Sequence, residues 1–200
     1  MAVDTPCLTV GFMLVPGFAL MSYSAAIEPL RAANLLSERN LYRWWHAAPS
    51  GEPVTASNGV AVIPDCGTGT ERSADIVFVC AGGNPATFTD RPTFSWLRRL
   101  ARQGAILGGI SGGPFILARA GLLDNHRATL HWEHLPALRE AFPHVAVVPS
   151  LFEIDGSRIT CSGGISALDM MVALIERDHG RQLAAAVGDW FLHTHIREGY

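Results

Sequence analysis

Short apolar runs followed by glycine or proline recur along the chain and predict the buried strands of a sheet. Leu8–Val15, Asp75–Cys80 and Ala105–Leu107 are aliphatic or β-branched and end close to such turn residues. Apolar runs without alternation are typical of parallel strands that are covered on both faces. Leu41–Ala48 is aromatic and alternating, and it predicts a further strand.

Two segments contain residues that are typical of the turn in a β-hairpin. Val54–Ile63 contains Ser-Asn-Gly, and Phe152–Thr160 contains Asp-Gly between its apolar parts. Both pairs favour the backbone of tight turns between antiparallel strands. Short strands are also expected at Ala128–Leu130 and Ala146–Val148.

Helical spacing of apolar residues predicts helices between the strands. One helix is expected over about 92–103, with Gly104 as its stop and with an apolar stripe formed by Phe94, Leu97, Leu100 and Ala101. Tyr23–Leu36 predicts another, which Pro29 is expected to kink or to begin. Helices are also expected to end near 142 and 175 and to cover 181–192. The alternation of strands and helices predicts an α/β fold with a mostly parallel sheet.

The most glycine-rich of the strand-to-helix turns carries Ser111. Pro114 suits the first turn of the helix that follows. We expect the amide N–H groups of Gly112, Gly113 and Phe115 to converge at the positive end of that helix, where they would favour a carboxylate or an oxyanion. The alternative is structural: the glycines allow close backbone approach, and Ser111 caps the helix.

The same turn matches the Gly-x-Ser-x-Gly pattern of a nucleophile elbow. A serine hydrolase would then need an acid and a histidine later in the chain, and the order allows Asp169 or Asp178 with His193 or His195. No His-Gly-Gly-Gly oxyanion segment precedes the turn, which weighs against this alternative.

His131 follows the next predicted strand, so it is expected to approach the edge of the sheet that holds Ser111. Trp132, beside it, and the pair Trp44-Trp45 are expected to pack in the core or at an interface, with cation–π binding as the alternative. His131 and His134 are spaced i, i+3, but no third ligand follows at metal spacing. No metal site is therefore expected.

Composition and charge narrow the class of protein. Two hundred residues, of which 48% are hydrophobic and 16% charged, suffice for one domain. A net charge of −3 argues against nucleic-acid binding by this part of the chain. The chain has no apolar run long enough for a membrane span and no secretory leader, so a cytoplasmic protein without membrane contact is expected. Its four cysteines lack Cys-x-x-Cys spacing and are expected to be reduced core residues.

Five segments together resemble the ThiJ/PfpI branch of the class I glutamine amidotransferase-like proteins, in the version fused to AraC-type DNA-binding domains. The segments are Pro16-Gly17-Phe18, Ala81-Gly82-Gly83, Gly109–Leu123, Ala128–Trp132 and Thr160–Asp169. The resemblance implies a flavodoxin-like three-layer sandwich with a mostly parallel sheet, a homodimer, and a ligand-sensing domain over residues 1–193. It also implies that residues 194–200 begin a linker to a C-terminal helix-turn-helix domain that binds DNA.

The resemblance also predicts a small-molecule effector at the carboxyl edge of the sheet, with no cofactor. The expected binding residues are Gly17, Phe18, Gly82, Gly83, Ser111, Gly112, Gly113, Phe115, His131 and Trp132. The effector is expected to bear a carboxylate, received by the N–H groups of Gly112 and Gly113 and by the Ser111 hydroxyl. The elbow resembles that of regulators of quaternary-ammonium catabolism, which implies an effector such as betaine or carnitine. Its cation would face Trp132, Phe115 or Trp45.

Two departures from the enzymes of that superfamily predict a sensor that is not catalytic. Those enzymes carry a cysteine where this chain has Ser111, and their acidic partner falls near Ser22, where no acid is present. A serine hydroxyl needs a strong base before it attacks, and His131 lacks an acid to orient it. If any catalysis remained, Ser111 and His131 would carry it.

Overall fold

The central sheet of the computed structural model, which describes residues 6–199, has seven strands. In chain order all strands are β1 (Leu8–Leu14), β2 (Tyr42–Ala48), β3 (Val54–Thr55), β4 (Ala61–Val62), β5 (Cys66–Gly67), β6 (Ile76–Ala81), β7 (Ile106–Ser111), β8 (Arg127–Ala128), β9 (Ala146–Val147), β10 (Phe152–Asp155) and β11 (Arg158–Cys161). The sheet order is β10-β11-β7-β6-β1-β2-β5, with β10 antiparallel to β11 and the other neighbours parallel. The β3–β4 and β10–β11 pairs confirm both predicted hairpins.

Helices cover both faces of this sheet. They are α1 (Leu20–Ser37), α2 (Arg91–Arg102), α3 (Gly113–Arg119), α4 (Leu135–Ala141), α5 (Ser166–His179) and α6 (Arg181–Trp190). Buried side chains of α1, α5 and α6 form one apolar cluster with the sheet, and those of α2, α3 and α4 form a second. The predicted three-layer flavodoxin-like sandwich with a mostly parallel sheet is confirmed.

The start of the first helix, the place of Pro29 in it and the end of the last helix differ from the predictions. The first helix begins at Leu20 rather than Tyr23, after an N-cap residue, Ala19, that has no side chain able to cap. Pro29 lies well inside this helix and does not mark its first turn. The last helix ends at Trp190, and Leu192 already has a left-handed backbone with φ 55°. The sequence lacks cap signals at these ends, which explains the shifts.

The cysteines are free, but they are not all in the core. Cys80 and Cys161 are buried, Cys66 is half-buried and Cys7 is exposed, so the prediction of four core cysteines is wrong for Cys7. Burial raises the pKa of the Cys161 thiol to about 11, which keeps it protonated at neutral pH.

Residues 1–5 and Tyr200 lie outside the described residues, so the outer limits of the predicted 1–193 and 194–200 division fall there. Among residues 6–199, none of the helices combines the length and apolar character needed to cross a bilayer.

A buried pair fixes the first turn of α1 beside Ser22. The Tyr23 hydroxyl lies 2.8 Å from Nε2 of His46, and the ring of Phe12 contacts both side chains. Burial raises the pKa of Tyr23 to about 12. Burial also lowers the pKa of His46, although the nearby carboxylate of Asp65 acts in the opposite direction.

Because the pKa of His46 is lowered in the Tyr23–His46 pair, acidification from pH 7 to pH 5.5 is expected to lower the free energy of unfolding. Unfolded His46 takes up a proton near its ordinary pKa of about 6.5, whereas the folded side chain stays neutral to lower pH. Urea unfolding across this range is expected to show a smaller slope for His46→Gln, and one group changes the slope by at most about 1.4 kcal/mol per pH unit. His179, whose pKa burial also lowers, acts in the same direction and provides His179→Gln as a comparison. An unchanged slope in His46→Gln would contradict the assignment.

Candidate functional site

Ser111 ends β7 in a left-handed backbone conformation, with φ 60°. A non-glycine residue adopts this conformation at a cost, and such residues concentrate at functional sites. Its amide faces the sulfur of Cys161, and its carbonyl accepts a hydrogen bond of 3.1 Å from the amide of His131. The side chain does not cap α3, whose N-cap residue is Gly112. The structural alternative of a capping serine is therefore wrong.

Close packing explains the glycines around Ser111, as the structural alternative predicted. A Cβ on Gly108 would overlap the ring of Phe78, and one on Gly109 would lie 2.5 Å from the nitrogen of Pro114. A Cβ on Gly113 would overlap the carbonyl oxygen of Val79. The start of α3 thus lies directly against β6 and β7, which fixes the position of Ser111.

The amide groups at this turn do not converge as the sequence predicted. The N–H of Gly112 donates to the carbonyl of Ala81 at 3.0 Å, and the N–H of Phe115 donates to the carbonyl of Gly112 at 3.1 Å. The prediction is wrong for these two groups because the turn uses them to close on itself and on β6. Among residues 6–199, the Gly113 N–H has no backbone acceptor.

The turns after β1 and β6 form the next part of the site. A Cβ on Gly82 would lie 2.7 Å from the carbonyl oxygen of Gly17, so the two turns are in contact. Gly17 and Gly83 have φ of 80° and 57°, and both face open space on their Cβ side. Phe18 is fully buried against Tyr23, so its side chain belongs to the core and does not line the site.

A second glycine turn, Gly163-Gly164, completes the surroundings of Ser111. A Cβ on Gly163 would lie 2.7 Å from Cβ of Ser111 and 2.9 Å from Oγ of Ser22. The Gly164 N–H donates to Oγ of Ser22 at 2.7 Å. This contact was not predicted from the sequence, although the Ser-Gly-Gly that follows β11 repeats the glycine pattern of the Ser111 turn.

The aromatic residues proposed to face a cation are mostly in the core. Phe115 packs edge-to-face on Phe142, with ring centroids 5.3 Å apart, and is 3% exposed. Trp45 is buried against Gly11 and Trp96. These positions exclude ligand contact by the Phe115 and Trp45 rings, because both rings pack in the layer of α2, α3 and α4.

Trp132 is 73% exposed, so the core alternative is wrong for it, and the interface and cation–π alternatives stay predictions. Its ring lies 5.5 Å from the ring of His131. Nδ1 of His131 lies 3.8 Å from the carboxylate of Glu133, which is too far for a hydrogen bond. His131 is therefore placed beside Ser111 by its backbone, and within residues 6–199 no acidic side chain orients its ring.

His131 and His134 have a third possible metal ligand between them. Ligand atoms of His131, Glu133 and His134 all lie within 4.8 Å of one another. The reason given for expecting no metal site is therefore wrong, because the 3-10 turn Trp132–His134 brings the residues onto one side. Glu133 is largely exposed, and exposed clusters of this kind are common without metal. The expected absence of a metal stays a prediction.

The proton relay of a serine hydrolase is not assembled around Ser111. Asp169 binds His193, with 2.8 Å between Oδ1 and Nε2, and Asp178 binds Arg177. Across residues 6–199 no hydrogen bond joins the Ser111 hydroxyl to any of these groups.

Because Ser111 has no such relay, a fluorophosphonate probe is expected to label the wild-type chain no more than it labels Ser111→Ala. Labelling of the wild type that Ser111→Ala abolishes would contradict the expectation.

Comparison with known proteins adds an independent finding. The model of the DJ-1/PfpI family matches residues 9–177. The HTH-type transcriptional regulator GlxA of Rhizobium meliloti is 50% identical over 190 residues, which are 94% of this chain and 59% of that protein. The HTH-type transcriptional regulator GbdR of Pseudomonas aeruginosa is 46% identical over 189 residues, which are 94% of this chain and 52% of that protein. The chain thus spans little more than half the length of these relatives.

A solved structure agrees with these sequence matches. The crystal structure of an AraC family transcriptional regulator from Pseudomonas putida superposes with a TM-score of 0.81 at 28% identity. The match covers 93% of this chain and 100% of that one.

Proposed function

The chain belongs to the DJ-1/PfpI family, and from this premise we propose that it is the effector-binding and dimerisation domain of an AraC-type transcriptional regulator. In this proposal residues 1–193 bind the effector, and residues 194–200 lead to a C-terminal helix-turn-helix domain that binds DNA. The high identity to HTH-type regulators, of which the matched residues make up 59% and 52%, supports the proposal. The protein acts in the cytoplasm as a homodimer.

The observation that carries a sensing role is a strained Ser111 turn without a proton relay. Ser111 has the left-handed backbone expected of a nucleophile elbow, and the resemblance to the superfamily implies a cysteine at this position in its enzymes. A serine hydroxyl is a poor nucleophile without an oriented base, and among residues 6–199 no acid lies within hydrogen-bond distance of the His131 ring. The site therefore supports binding and not covalent catalysis, with no cofactor.

The effector we propose is a small carboxylate that also carries a quaternary ammonium group, such as glycine betaine or carnitine. The Gly113 N–H and the Ser111 hydroxyl bind the carboxylate, beside Gly82, Gly83 and Gly112. The exposed ring of Trp132 binds the cation through its π face. Occupancy then changes the geometry of the dimer or of the linker, which requires unequal affinity for two arrangements.

Calorimetric titration of the 200-residue chain with glycine betaine and with carnitine tests the effector class. In a separate chemical unfolding measurement, a ligand present at 100 times its Kd is expected to add about 2.7 kcal/mol to the free energy of unfolding. Trp132→Ala is expected to weaken binding between about 2-fold and 30-fold, because a cation–π contact contributes about 0.5 to 2 kcal/mol.

Trp190→Ala removes a half-exposed tryptophan at the end of α6 and is the matched control. It is expected to leave the affinity unchanged. Absence of heat with either compound, together with binding of an uncharged metabolite, would reject the effector class but keep the sensing role. No binding across a broad metabolite panel would reject the sensing role itself.

A further inference from the structure

Asp169 is a fully buried carboxylate that binds the C-terminal segment of the chain. Oδ1 accepts hydrogen bonds from Nε2 of His193 at 2.8 Å and from the amide of Arg197 at 2.9 Å. Oδ2 accepts from Nε and Nη2 of Arg197 at 3.1 and 2.7 Å. A buried anion is tolerated only when it is paired in this way. The segment that the sequence predicted to begin a free linker is therefore bound to the domain.

The helix that carries Asp169 begins at the site. Ser166, the first residue of α5, donates its hydroxyl to the carbonyl of Gly163 at 2.6 Å. Gly163 lies against Ser111 with no room for a methyl group, and Gly164 is bound to Ser22. Because Asp169 follows Ser166 by less than one helical turn, a displacement of the Gly163-Gly164 turn displaces the carboxylate as well.

The far end of the segment reaches the same turn by another route. The amide of Leu151 donates to the carbonyl of Gly199, and the carbonyl of Leu151 accepts from the amide of Ser162 at 2.8 Å. Ser162 in turn exchanges a hydrogen bond of 2.9 Å with the hydroxyl of Ser166. His193 is connected to the glycine turn beside Ser111 through the Asp169 hydrogen bond, the first turn of α5 and the Ser166 hydrogen bond. Gly199 is connected to it through two hydrogen bonds, because Ser162 directly precedes Gly163.

We propose that Asp169 is the residue that couples occupancy of the Ser111 site to the position of residues 193–199. This inference rests on the proposed function, since it states how binding is transmitted toward the linker. A ligand that contacts Ser111 moves the Gly163-Gly164 turn, the first turn of α5 moves with it, and the hydrogen bonds to His193 and Arg197 are strengthened or weakened. By linkage, docking of the segment and effector affinity change by the same factor, which for coupled sites is typically about 5-fold to 150-fold.

Hydrogen exchange of the 200-residue chain tests the coupling without any ligand. Ser22→Ala removes the acceptor of the Gly164 amide and loosens the turn at the site. It is expected to accelerate exchange of the Arg197 amide at least about 5-fold. The hydrogen bonds from His193 and Arg197 to Asp169 are called the clasp below. In an Asp169→Asn background, where the clasp is already weakened, Ser22→Ala is expected to add no further acceleration of exchange.

Asp178→Asn, the same change near the other end of α5, is the matched control and is expected to leave exchange at residues 193–199 unaltered. If Asp169→Asn does not fold, Arg197→Ala weakens the clasp from its other side, and exchange is then read at the amides of 193–196. Faster exchange at 163–166 with no change at 193–199 in Ser22→Ala would overturn the proposal. So would equal acceleration by Ser22→Ala with and without Asp169→Asn.

A second arm uses glycine betaine as the probe and separates this inference from the proposed function. Binding of glycine betaine that alters exchange at 193–199 in the wild type but not in Asp169→Asn supports both the proposed effector and the coupling role of Asp169. Binding with the same exchange response in the two chains overturns the coupling role and leaves the effector proposal intact. If glycine betaine does not bind, the proposed effector is rejected, and the Ser22→Ala arm still decides the role of Asp169.

Discussion

Replacing Gly113 with alanine is expected to lower the free energy of unfolding by at least about 3 kcal/mol. The added methyl group would overlap the carbonyl oxygen of Val79 in β6, which is backbone and cannot rotate away. Relief requires α3 to move off the sheet, and α3 contributes four fully or nearly fully buried apolar side chains to one of the two cores. Chemical unfolding followed by circular dichroism measures the change.

The neighbouring residue provides the control for this prediction. A Cβ on Gly112 meets the side chain of Pro85 at 3.1 Å, and the backbone of Gly112 has an ordinary φ of −81°. Gly112→Ala is therefore expected to cost less than about 1 kcal/mol. Similar losses in the two variants would show that the contact with Val79 does not determine how closely α3 packs on β6.

The sheet and the left-handed turn at Ser111 could be predicted from the sequence because their causes are local. Apolar runs such as Leu8–Val15 that end in glycine or proline identify parallel strands directly. The glycines around Ser111 mark a close approach, and close approach requires a residue without a side chain wherever it occurs. The strained φ at Ser111 is the structural result of that pattern.

The detailed contacts at the site could not be predicted, because they depend on residues distant in the chain. The bond between Ser22 and Gly164 joins positions 142 residues apart, and nothing near either residue signals it. The amide of Gly112 was expected to be available, but its acceptor, Ala81, lies on another strand. Core packing was one of the alternatives expected for Trp132, yet the 3-10 turn that carries it lies at the surface.

The clasp at Asp169 shows the same limitation in the C-terminal segment. Polar residues from His193 onward are typical of a linker when composition alone is considered. Their partner is one carboxylate inside the apolar face of α5, and its burial becomes apparent only when α1, α5 and α6 pack together. Polar composition alone therefore does not distinguish a free linker from a segment that is bound to a buried polar group of the domain.

Removing both side chains that bind Asp169, in the variant His193→Ala/Arg197→Ala, is expected to lower the free energy of unfolding by about 3 kcal/mol. Among residues 6–199, the buried carboxylate of Asp169 would then keep only the amide of residue 197 as a partner, and an uncompensated charge in the core is costly. Adding Asp169→Asn to this variant is expected to recover part of the loss, because the amide side chain carries no charge. Asp169→Asn alone is expected to cost less than the double variant, since His193 and Arg197 reach water more readily than Asp169 does. If the added Asn deepened the loss instead, the buried charge would not be its source, and lost packing of the C-terminal segment would account for it.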